Sequence, residues 1–174
     1  MTRARDLANI ADGDITGTLT LDGLTVAGNV SVDSGTIKLD GNYPDGTGNI
    51  ALGDTALDSL DGTSPGGNNV AIGSGALTAN TTANYNTAVG YQSLYANTTA
   101  TYNTAVGWKA LLGNTTGIKN VSLGADALRA NTTGASNVAV GMQALTANTT
   151  ADNNTAVGYQ AATDNTTGTY NTAI

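Results

Sequence analysis

The sequence predicts an all-β repeat fibre, a parallel β-roll or β-solenoid with 17-residue coils behind a short β-rich N-terminal segment. Three observations carry this: one motif recurs at a fixed spacing, its strand has two apolar or small faces, and each unit holds too few large apolar side chains to stand alone.

The motif is Asn, then Thr/Val/Ile, Ala/Ser, Val/Ile/Leu and Gly. It occurs at 49–53, 69–73, 86–90, 103–107, 120–124, 137–141 and 154–158, and its first four positions return at 171–174. From Asn69 onward every step is 17 residues; the step from Asn49 is three longer and carries the turn-like stretch Asp61–Gly67. Asn-Thr-Thr keeps the same beat at 80–82, 97–99, 114–116, 131–133, 148–150 and 165–167. Between the two, a small residue and usually Leu follow each motif Gly, as in Ala76-Leu77, Ser93-Leu94, Ala110-Leu111, Ala127-Leu128 and Ala144-Leu145.

In Asn86-Thr-Ala-Val-Gly90, Thr87 and Val89 share one strand face and Ala88 takes the other. Two apolar or small faces suit a parallel strand covered on both sides, and the period is too short for a normal crossover helix. The connection is therefore a tight coil, whose segment after the Gly forms either one helical turn or a second strand. The motif corners are expected at Asn69, Gly73, Asn86, Gly90, Asn103, Gly107, Asn120, Gly124, Asn137, Gly141, Asn154 and Gly158. Gly and the Asn of Asn-Thr-Thr are read as positive-φ corners, with stacked Asn side chains forming a hydrogen-bonded ladder. That structural role, rather than glycosylation, accounts for the evenly spaced Asn-Thr-Thr sequons.

The expected core of the repeats is Val89, Leu94, Val106, Leu111, Leu123, Leu128, Val140, Leu145 and Val157. Unit 86–102 offers only Val89, Tyr91, Leu94, Tyr95 and Tyr102 as large apolar side chains, too little to offset the ordering of 17 residues. The small Ala face is therefore expected to pack against other copies of the chain.

Residues 15–48 read as short strands broken by Gly, and are too few to enclose a core, so interleaved chains are expected there as well. Residues 1–14 carry Arg3, Arg5 and Asp6, suited to charge pairs with a partner.

Composition narrows the function classes. The chain has no Cys, His, Phe or Glu, and 13 Asp against six Lys and Arg leave a net charge of −7, which argues against nucleic acid. After residue 68 the only acids are Asp126, Asp152 and Asp164, at different places in the unit, so no acid–base pair emerges. No calcium-binding beat is present, and Thr87, Thr104, Thr155 and Thr172 alternate with Val70, Val121 and Val138, which breaks an ice-binding array. No enzyme, metal site or cofactor is expected. Met1–Ile10 lacks the apolar core of a secretory signal, and no apolar run approaches the roughly 18 residues of a membrane helix, so assembly in the cytoplasm without membrane insertion is expected. Tyr91, Trp108 and Tyr159, each following a motif Gly, are candidate surface contacts, for a sugar ring or for one another.

Asn69-Val-Ala-Ile-Gly73 and Asn137-Val-Ala-Val-Gly141 resemble the head repeats of trimeric autotransporter adhesins, in which three parallel β-rolls pack about one axis. Those heads usually have shorter units, and Asn-Thr-Thr is an addition here. The fuller unit Asn86–Thr99, with Ala4–Ile10 and Ile15–Val26, is similar to bacteriophage tail fibres. That resemblance implies a homotrimeric virion fibre assembled in the host cytoplasm. Residues 1–14, through Arg3, Arg5, Asp6, Leu7 and Ile10, would attach to a tail or adaptor protein, residues 49–174 would form a shaft, and a distal region would meet the host surface. The alternative it leaves is a trimeric bacterial adhesin whose repeats bind host or glycan. Because Asn171–Ile174 stops inside a motif, the chain reads as the proximal part of a longer fibre.

Overall fold

A computed structural model describes residues 47–60 and 66–174. The expected attachment peptide 1–14, nearly all of segment 15–48 and residues 61–65 lie outside the described residues.

Each repeat motif becomes one short strand. In chain order these are β1 (Ile50–Leu52), β2 (Val70–Ile72), β3 (Thr87–Val89), β4 (Thr104–Val106), β5 (Val121–Leu123), β6 (Val138–Val140), β7 (Thr155–Val157) and β8 (Thr172–Ala173). All eight form one parallel sheet in sequential order. Pairing is in register, with Thr87 opposite Thr104, Ala88 opposite Ala105 and Val89 opposite Val106. The longer first step does not disturb it, since Ile50 still pairs with Val70. The architecture is a β-solenoid of about seven turns, and no helix occurs among the described residues.

The motif Gly ends each strand. Gly107 has φ +139, and a Cβ there would stand 2.5 Å from Gly124 O on the next coil. Only glycine tolerates both that dihedral and that approach.

Neither a helical turn nor a second strand follows. Two successive β-turns do, closed by Ala76 N–H to Gly73 O at 3.1 Å and Asn80 N–H to Leu77 O at 3.1 Å. The remaining amides of this segment reach along the solenoid: Lys109 donates to Tyr91 O at 2.9 Å, and Leu111 to Ala127 O at 2.9 Å. Positive φ falls here on ordinary residues, including Gln92 (52°), Leu94 (50°), Lys109 (54°) and Leu111 (54°). Such angles cost about 1–2 kcal/mol per residue, which the bonds to neighbouring coils offset.

The interior is narrow. Ala88, Ala105 and Ala139 point inward from the strands, Ala76, Ala110, Ala127 and Ala144 meet them from the turns, and one Leu per coil fills the remaining space. Leu94, Leu111, Leu128 and Leu145 are each 0 % exposed. The expected core residues on the other strand face lie differently: Val89, Val106 and Val140 are half-buried, Leu123 is 46 % exposed and Val157 38 %. The Ala face expected to meet other chains is thus covered by the chain's own turns, because only small side chains, Ala or the Ser122 of β5, fit the short distance between strand and turn. The larger Val, Leu and Ile side chains are left facing outward.

Candidate functional site

Two buried Asn columns hold the coils together and clear the surface for other residues. Each motif Asn accepts the next coil's motif N–H: Asn86 N donates to Asn69 Oδ1, Asn103 N to Asn86 Oδ1 and Asn120 N to Asn103 Oδ1, all at 2.9 Å. Its Nδ2 donates across the coil, from Asn103 to Gly117 O at 2.9 Å and from Asn120 to Gly134 O at 2.8 Å.

The Asn of Asn-Thr-Thr serves the same carbonyl from the other side, with Asn114 Nδ2 2.9 Å from Gly117 O. These side chains also bond to one another, Asn131 Nδ2 to Asn114 Oδ1 and Asn148 Nδ2 to Asn131 Oδ1, both at 2.9 Å. The expected ladder is present, but this Asn is not at positive φ. The third left-handed position of each coil is instead the residue before the motif Asn, such as Tyr85 (59°), Tyr102 (62°) and Lys119 (58°). Burial of Asn80, Asn97, Asn114, Asn131 and Asn148, with Nδ2 committed to hydrogen bonds, closes these sequons to glycan attachment in the folded coil.

Two kinds of apolar surface remain. The outward strand face carries Ile50, Leu52, Ile72, Val121, Leu123 and Val157, all exposed. The six inter-strand steps from β1 to β7, at about 4.8 Å each, make this stripe about 29 Å long. The second kind is aromatic. Tyr85 and Tyr102, just before the motif Asn on adjacent coils, stack on each other with centroids 5.1 Å apart and planes 7° from parallel.

Just after the Gly corner the column runs Asp54, Ser74, Tyr91, Trp108, Ala125, Met142 and Tyr159. Tyr91, Trp108, Met142 and Tyr159 are exposed and Ala125 is half-buried. Tyr91 and Trp108 form no ring pair with each other, whereas Lys109 Nζ lies 4.3 Å from the Trp108 ring centroid. Polar side chains flank this column: Asp126, whose Oδ1 is 3.6 Å from Arg129 Nε, and Gln160, whose Nε2 donates to Gln143 Oε1 at 2.9 Å. Sequence reasoning singled out Tyr91, Trp108 and Tyr159 but not these neighbours; Asp126, Gln143 and Gln160 belong to the next turn position, whose residue type also varies from coil to coil.

No group of three or more Asp, Glu, His or Cys among the described residues could hold a metal ion. The expected attachment residues Arg3, Arg5, Asp6, Leu7 and Ile10 lie outside the described residues.

Fold and surface together define a β-solenoid repeat protein whose outward strand face is largely apolar. Comparison with protein-family models, with curated proteins and with solved structures finds no match for the chain.

Proposed function

We propose that this chain is a structural segment of a bacteriophage tail fibre, in which three copies pack their outward strand faces together to make a rigid shaft. Residues 1–14 attach it to a tail or adaptor protein, and host-receptor contact lies in a distal region.

The observation that carries this reading is the apolar column on the outward strand face, which runs on every coil from Leu52 through Ile72, Val89, Val106, Leu123 and Val140 to Val157. Exposed contiguous apolar surface of several hundred Å² marks an interaction site on a soluble chain. The stripe is periodic, as a partner built on the same repeat would require, and a second copy of this chain is such a partner. The interior adds to the argument: with one buried Leu per coil, the single chain buries little large apolar surface. The virion assignment rests on the resemblance of Asn86–Thr99 and of the N-terminal stretch to tail fibres.

Immuno-electron microscopy with an antibody against the repeat tests it. Decoration of the fibre between tail and tip is expected; label on a bacterial surface free of virions would overturn it in favour of the adhesin. Deleting residues 1–14 should abolish incorporation into virions while leaving the soluble oligomer intact.

A further inference from the structure

We propose that the column after the Gly corner is a saccharide-binding platform centred on Trp108, a second activity for a segment otherwise assigned to spacing. The contrast between the two aromatic columns points to it. Tyr85 and Tyr102 satisfy each other's faces by stacking, so inter-coil packing accounts for them. Tyr91 and Trp108 stand on adjacent coils in the same way, are 46 % and 48 % exposed, and do not pair. Lys109 Nζ covers one face of the indole, and no aromatic side chain among the described residues covers the other.

The neighbouring coils shape this open face. Backbone bonds from Asp126 N to Trp108 O and from Gln143 N to Ala125 O, both at 2.9 Å, set Trp108, Ala125 and Met142 on successive rungs. Ala125 is the one small side chain between two large ones, so it leaves a notch. Two rungs span about 9.6 Å, against the about 7–8 Å needed to seat one ring at van der Waals distance from groups on both sides.

The same coils carry polar groups beside the column. Asp126 keeps Oδ1 buried without a hydrogen bond, its nearest cation being Arg129 Nε at 3.6 Å. Lys109 and Arg129 belong to these two coils. Gln143 accepts from Gln160 through Oε1, which leaves its Nε2 hydrogens for a ligand.

A pyranose presents a C–H face that stacks on an aromatic ring and an edge of hydroxyls that bond to carboxylate, amide and ammonium groups. The notch offers both kinds of surface side by side. A purely apolar partner would leave Asp126, Lys109 and Gln143 desolvated without compensation.

Trp108 is the only Trp in the chain, so its fluorescence reports the site directly. The experiment titrates the full-length protein with cellohexaose, chitohexaose, maltohexaose and oligogalacturonate, and measures acrylamide quenching with and without each sugar. At least one sugar should change the emission saturably and protect Trp108 from acrylamide. By calorimetry, Trp108→Ala and Ala125→Met should each weaken that sugar's binding by about tenfold or more, a factor that corresponds to about 1.4 kcal/mol. Ala125→Met places at this rung the residue found naturally at Met142, so the coil is expected to fold. Tyr102→Ala should leave the affinity unchanged.

The proposal is overturned if none of the four sugars gives a saturable change, or if Ala125→Met and Trp108→Ala bind as well as the parent protein. Acrylamide inaccessibility of Trp108 in the sugar-free protein would overturn it too, by placing the ring between copies. That last result would leave the shaft reading standing, so the two proposals fail separately.

Discussion

Replacing Asn103 tests the stacking scheme at a single side chain. Asn103 is fully buried; its Oδ1 accepts the Asn120 N–H at 2.9 Å and its Nδ2 donates to Gly117 O at 2.9 Å. In Asn103→Ala, Gly117 O keeps the Asn114 Nδ2 donor at 2.9 Å, but the Asn120 N–H loses its acceptor inside the solenoid. One orphaned buried donor costs about 1–3 kcal/mol. At about 2–4 °C per kcal/mol for a chain of this size, the melting temperature should fall by about 2–12 °C.

Asn103→Asp separates the two roles of the side chain. One carboxyl oxygen can still accept from Asn120, while the other must face the Gly117 carbonyl, a contact between two acceptors that only protonation relieves. Burial and that carbonyl raise the introduced carboxyl's pKa in the folded state above its unfolded value. For an acid shifted upward, stability is intact below the unfolded pKa of about 3.9 and is lost as pH rises toward the folded value, by up to about 1.4 kcal/mol per pH unit.

The Asp variant should therefore melt near the parent at about pH 4 and progressively below it toward neutrality. Far-UV circular dichroism melts at equal chain concentration across that range supply the assay. An Ala variant as stable as the parent, or an Asp variant whose deficit does not change with pH, would refute the ladder as the bond between coils.

Other substitutions probe the remaining contacts. Leu111→Ala removes a fully buried side chain but keeps the same positive-φ backbone, so its cost comes from the emptied core, about 2–5 kcal/mol by thermal or denaturant unfolding. Gly107→Ala sets a Cβ 2.5 Å from Gly124 O at a φ closed to L-residues; it should lose more stability than Leu111→Ala in the same unfolding assay, or prevent folding outright. Leu123→Lys places a charge on the exposed strand face, so sedimentation should show loss of the oligomer, and circular dichroism should show loss of the coil with it.

The repeat itself made much of the fold legible. The recurring Asn-to-Gly motif marks all eight strands and the Gly corner, and the Leu spacing marks the buried Leu column. The sidedness of the strand was not legible, because both faces are free of charge. Ala88 suited close approach by a neighbouring chain as well as by the coil's own turn, and only the narrow cross-section of a coil closed by two β-turns decides for the turn.

The left-handed positions were hidden for another reason. Gln92, Leu94 and Tyr102 carry no preference for positive φ; their backbone bonds to adjacent coils impose it, and such bonds leave no trace in a single repeat. The candidate surface was half legible. Alternating residue types after each Gly marked Tyr91 and Trp108 as exposed, but the failure of these rings to pair, while Tyr85 and Tyr102 do, depends on side-chain packing.

Sedimentation equilibrium of the full chain tests the shaft most directly. Three copies joined along the Ile50–Val157 stripe predict a single species of three times the 17.3 kDa chain mass, stable to dilution. A monomer of 17.3 kDa that retains its β circular dichroism would contradict it.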